Sequence, residues 1–206
     1  MSTVFRDNHE IDYKIYGEEL QFVEIELDPN ETAIAESGAM MMMEDNITMQ
    51  SIFGDGSSKQ PTGFLGKLMS AGKRVLTGES LFMTAFTNEG HGKKKVSFAA
   101  PYTGKIIPMD LQQLGGTIIA QKDAFLCAAK GVSVGIYFQR KLGVGIFGGE
   151  GFIMEKLEGD GMAFLHAGGY IIEKELRAGE ILKVDTGCLV AYMPTVHFDI
   201  ELVRGV

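Results

Sequence analysis

The residues of this chain that could do chemistry are few and scattered. Glu31 and Glu180 hold matched positions, each four residues after a leucine (Leu27 and Leu176). Paired carboxylates can divide acid and base work when their surroundings separate their pKa values. A carboxylate just after a tight turn has a simpler task, accepting that turn's backbone N–H groups. The matching position in between is Gly116, so a shared catalytic role is not expected and the turn reading is preferred. Of the four histidines (His9, His91, His166 and His197), no two lie at metal-ligand spacing. Neither Cys127 nor Cys188 joins a C-x-x-C pair or a zinc pattern, and an apolar run around each suggests a small buried thiol. No G-x-S-x-G elbow is present, and the glycine-rich run 143–151 lacks the Gly-Lys-Ser/Thr ending of a phosphate loop. The sequence therefore assigns no catalytic, cofactor-binding or metal-ligating residue.

Three features remain as candidate surfaces. Lys93, Lys94 and Lys95 fall on an expected hairpin between Phe86 and Val96, either a solvated loop or a face for an anionic partner. In the segment 64–76, Phe64, Leu65, Leu68, Met69, Val75 and Leu76 recur near the helical period, with Lys67, Lys73 and Arg74 on the polar side. This is the one expected helix, docked on the body or laid on a membrane surface. Phe64, Lys67, Leu68, Lys73, Arg74, Lys93, Lys94 and Lys95 together form the candidate partner surface. The run Met40–Met43 is read as core filling or as an adaptable interface.

The elements that must position these residues are strands. From Phe22 onward apolar and acidic residues alternate with period two, and Asp28-Pro29-Asn30 then marks a turn. The spacing Leu27, Glu31, Gly38, Asn46, Ile47 returns without insertion as Leu176, Glu180, Gly187, Thr195, Val196. With one extra residue it returns again as Leu111, Gly116, Asp123, Gly131, Val132. Short strands separated by glycine turns indicate an all-β body of sandwich or barrel type. The expectation is a single domain over 1–206, with related units near 13–50, 78–138 and 149–203 and an insert at 54–77. In the third unit, strands are expected at 170–176, 180–184, 188–193 and 197–203. The three units are expected to close around a pseudo-threefold axis, with weak or modest self-association.

Bulk properties narrow the function classes. The 206 residues carry a net charge of −8 and are 45% hydrophobic, which suits a folded core and disfavours general nucleic-acid binding. A polar start without a signal-type apolar core, and no apolar stretch of membrane-spanning length, point to the cytoplasm.

Gly78-Glu79-Ser80-Leu81-Phe82-Met83 matches Gly149-Glu150-Gly151-Phe152-Ile153-Met154, and each precedes a glycine-bearing turn. With Asp123-Ala124-Phe125-Leu126 and Val184-Asp185-Thr186-Gly187, these motifs carry a resemblance over about 13–202. The chain resembles bacterial members of the mitochondrial-biogenesis family named for altered inheritance of mitochondria. That family is described as similar in fold to the tryptophan RNA-binding attenuation protein. The resemblance implies repeated β-sandwich units of double-stranded β-helix type, and it brings no catalytic residues and no cofactor. The leading expectation is a non-enzymatic binding or scaffold protein with protein partners, in contact with a membrane as one setting. The alternatives are a small-ligand-binding β module, RNA binding by fold analogy, and an enzyme of unrecognised class. RNA binding is disfavoured because no repeated Lys/Arg triplet accompanies the three spacings.

Overall fold

Alternating strands, short runs of small residues and left-handed turns build three antiparallel sheets. The computed structural model describes residues 10–53, 82–140 and 151–201 and is all-β. The strands are β1 (Asp12–Tyr16), β2 (Phe22–Leu27), β3 (Thr32–Glu36), β4 (Met40–Met43), β5 (Ile47–Phe53), β6 (Phe82–Asn88) and β7 (Lys94–Ala99). They continue as β8 (Lys105–Asp110), β9 (Thr117–Gln121), β10 (Phe125–Ala129), β11 (Ser133–Arg140), β12 (Phe152–Glu158), β13 (Met162–Ala167) and β14 (Ala191–Tyr192). Single 3-10 turns occupy Lys122–Ala124 and Thr186–Cys188. The expected helix at 64–76 and the loop before it lie outside the described residues. Among the described residues, no helix is long and apolar enough to cross a membrane.

The central sheet has the order β5-β6-β3-β10-β13-β8, and the two flanking sheets run β1-β2-β7-β4 and β11-β12-β9-β14. Both faces of the central sheet are buried. Ala33, Ala35, Phe86, Cys127, Ala129 and Phe164 pack against Val23, Ile25, Leu27, Val96 and Phe98 of the first flanking sheet. Ile34, Ala85, Ala128, Ala163 and Leu165 pack against Ile118, Ala120, Val134 and Leu157 of the second. A strand covered on both sides loses its polar alternation, which is why β3 and β10 are runs of small apolar residues. The outer face of the second flanking sheet, with Ile119, Phe152 and Met154, is covered by Leu189, Phe198 and Ile200 from the chain's last described stretch.

The pairing runs the same way twice. β6 lies between β3 and β5, and β12 lies between β9 and β11. β7 lies between β2 and β4, and β13 lies between β8 and β10. The turn between Phe86 and Val96 therefore joins strands of different sheets and is not the hairpin expected from its glycines. Asn88 forms that corner. Its fully buried amide donates to the carbonyls of Leu27 (2.9 Å) and Gly92 (2.8 Å) and accepts from the Gly90 N–H (2.9 Å).

Other expectations are corrected in detail. Of the strands expected over 170–203, only Ala191–Tyr192 is paired among the described residues, because extended backbone becomes a strand only beside a hydrogen-bonding neighbour. Met40 packs on the core, but a bulge between Met40 and Met42 breaks the alternation. Met41, Met42 and Met43 stand exposed along the sheet edge instead of filling the core. Cys127 is buried, whereas Cys188 is exposed on its 3-10 turn.

Candidate functional site

The turn carboxylates act within their own turns. Asn30 and Gly179, each just before the glutamate, adopt left-handed backbone angles (φ 68° and 79°). Glu31 then accepts the Asp28 N–H at 2.7 Å, and Glu180 accepts the Arg177 N–H at 3.0 Å. In each turn the glutamate's own N–H closes back on the same partner's carbonyl, at 2.9 Å. Gly115 has the same handedness (φ 80°), but the extra residue there closes the turn from Gly116 N–H to Leu111 carbonyl.

The three lysines are matched by carboxylates. Lys93 lies 3.0 Å from Asp12, 2.7 Å from Glu26 and 3.9 Å from Asp28. Lys94 pairs with Asp45 at 2.5 Å and Lys95 with Glu24 at 2.8 Å. Hydrogen bonds to these partners raise the lysine pKa values. Phe64, Lys67, Leu68, Lys73 and Arg74 lie outside the described residues.

The sequence did not single out two buried titratable groups. Glu155 on β12 is 3% exposed, and its Oε2 has no hydrogen-bond partner. Burial, reinforced by the charge of Glu36, pushes its carboxyl up to about 8, so it is mostly neutral at pH 7. His166 on β13 is 2% exposed with neither ring nitrogen bonded, and burial lowers its pKa. Tyr102 packs its ring edge-on to His166 (centroids 4.7 Å apart) and donates its hydroxyl to the Asp123 carbonyl at 3.3 Å. Gly104 permits this packing. A Cβ there would sit 2.4 Å from the Ala167 carbonyl oxygen and 2.5 Å from the His166 ring. Among the described residues, no three His, Cys, Asp or Glu side chains gather as ligands for a metal. Glu155 therefore keeps a proton that a solvated carboxyl would release, whereas His166 resists taking one up.

A different surface is apolar and lacks strand neighbours. Residues 170–184 run on either side of the Arg177–Glu180 turn without a sheet partner among the described residues. Tyr170 is 92% exposed, Ile172 78% and Ile181 83%; Leu182 and Val184 are also exposed. Beside the turn, Glu175, Arg177, Ala178, Gly179 and Glu180 line an open notch of about 590 Å³. A soluble body normally hides or blunts such backbone and side chains.

The comparisons with known proteins fit this architecture. An uncharacterized protein of Streptococcus pyogenes serotype M6 is 29% identical over 187 residues, covering 89% of this chain and 70% of the streptococcal one. A Streptococcus pyogenes protein solved by X-ray crystallography has a similar fold, with TM-score 0.55 at 21% identity. That likeness covers 77% of this chain, which spans 65% of the length of the solved one. The family model described as mitochondrial biogenesis AIM24 matches residues 13–206, and the chain belongs to that family.

Proposed function

We propose that this chain is a non-enzymatic binding or scaffold protein whose rigid sheet body offers unpaired β backbone to a protein partner. The observation that carries the reading is the exposed, extended stretch 170–184, with Ile172 and Ile181 turned to solvent and no strand beside it among the described residues. Main-chain hydrogen bonds supply affinity in such strand addition, and alternate side chains supply specificity. The ion pairs around Lys93, Lys94 and Lys95 spend their charge within the chain, which supports protein contact over RNA contact at that edge. A cytoplasmic setting, with the 64–76 segment as a membrane-facing element, belongs to the same proposal.

Affinity capture from native extract tests it, using the chain as it stands and an Ile172→Lys/Ile181→Lys variant with unchanged melting temperature. Partners held by the first and lost by the second are expected. An identical captured set from both would contradict the reading. A small-ligand module is the second reading, favoured by the unpartnered Glu155 and His166. A marked thermal shift with an amino acid, nucleotide or lipid would select it.

A further inference from the structure

Two strand junctions in this chain share one register. After the Asp28–Glu31 turn, β3 pairs with β10, placing Ala35 opposite Cys127 and Ile34 opposite Ala128. After the turn closed by Gly116, β9 pairs with β14, placing Ala120 opposite Ala191 and Ile119 opposite Tyr192. Counted from the repeated positions (Glu31 and Gly116 on one side, Asp123 and Gly187 on the other), the offsets are the same. The fourth residue after the first mark faces the fourth after the second, and the third faces the fifth.

One strand and one edge are left over. Residues 180–184 follow the third such turn, Arg177–Glu180, and have no strand partner among the described residues. β4 follows the third matching mark, Gly38, and among the described residues has a strand, β7, on one side only. Both are apolar and exposed, with Ile181, Leu182 and Val184 on one and Met41, Met42 and Met43 on the other.

We infer that residues 180–184 are a strand built to pair with β4 of a second copy of this chain, with Val184 opposite Met42 and Lys183 opposite Met43. This rests on the reading of 170–184 as a presented strand and names its occupant. Charge favours a like copy there. The chain carries −8, but over 170–184 Glu173, Glu175 and Glu180 are balanced by Lys174, Arg177 and Lys183. Two acidic chains therefore meet at a neutral face. On the other side, Lys183, which lies 3.0 Å from Glu201 in its own chain, would come beside Glu44 at the end of β4, whose neighbour Asp45 is already paired with Lys94. Methionine side chains adapt to whatever apolar surface arrives. The contact joins strand 180–184 of one copy to β4 of another, so it closes as a reciprocal two-fold pair or a ring, or extends as a filament.

Register-specific crosslinking tests this. In a Cys188→Ser background, a chain carrying Val184→Cys is mixed with a differently tagged chain carrying Met42→Cys. Facing residues of an antiparallel pair lie within disulfide reach, at roughly 4.5–5.5 Å between Cα atoms. A disulfide between the two tagged chains is expected, with far less when Met49→Cys on β5 replaces Met42→Cys. Light scattering of the unaltered chain is the companion measurement, and a mass above the monomer that rises with concentration is expected. An intrachain disulfide in a monomeric Val184→Cys/Met42→Cys chain would overturn both this inference and the presented-strand reading, because the chain would close on itself. No disulfide in either format, with a monomer by scattering, would overturn the second copy alone.

Discussion

Glu155→Gln isolates the proton that the fold forces onto β12. The Glu155 carboxyl titrates at about 8 in the folded chain and at 4.5 ordinarily, because burial and the Glu36 charge penalise its ionised form. Below 4.5 both states hold the proton and the site costs nothing. As pH rises the unfolded chain releases the proton first, so stability falls until the folded carboxyl also ionises near pH 8. From these two values the cost is about 2 kcal/mol at pH 6 and about 4 kcal/mol at pH 8. Glutamine keeps the shape and cannot ionise. Urea midpoints of both proteins between about pH 5 and pH 8 measure the effect. The gain from Glu155→Gln is expected to grow with pH by roughly 2 kcal/mol between pH 6 and pH 8. The slope is the readout, since a buried amide brings its own constant penalty. Parallel profiles would refute the reasoning. His166 acts in the opposite direction: its lowered pKa makes the fold lose stability as pH drops below 6.5.

Three further outcomes are expected. Asn88→Ala removes three hydrogen bonds from a buried corner and should cost about 3 kcal/mol in urea unfolding, with no change expected at a distance from that corner. Gly104→Ala drives a methyl into the Ala167 carbonyl and the His166 ring, so its melting temperature should fall sharply. Gly92→Ala meets nothing within 4 Å and should leave it unchanged. A thiol reagent should modify Cys188 in the native chain and reach Cys127 only after unfolding, because Cys127 is buried and its pKa raised by burial.

Local structure was legible in the sequence where a residue's chemistry acts within a few positions. Asp28-Pro29-Asn30 marked a turn, and Glu31 and Glu180 close the turns they follow, as carboxylates at those positions were expected to do. The apolar run around Cys127 announced a buried thiol, and Cys127 is buried on β10. What was not legible depends on neighbours far along the chain. A glycine-bearing turn such as 89–93 looks the same whether it returns in one sheet or crosses to another, and only the pairing of β7 with β2 decides. Glu155 lies in Phe-Ile-Met-Glu-Lys-Leu-Glu, where alternation allows a wet face. Alternation places Glu155 on the same face as Leu157, turned to the central sheet, and its burial there is a tertiary fact. His166 was passed over for the same reason. The strands expected at 170–176 and 180–184 have strand-like sequences, and what they lack among the described residues is a neighbouring strand.

Amide hydrogen exchange over residues 180–184, followed against protein concentration, tests the presented strand most directly. Unpaired backbone exchanges rapidly, and paired backbone is protected. Rapid exchange in dilute protein, slowing as concentration rises together with that of β4, is the expected result. Slow exchange of 180–184 at every concentration would contradict the account, because the strand would already be paired within its own chain.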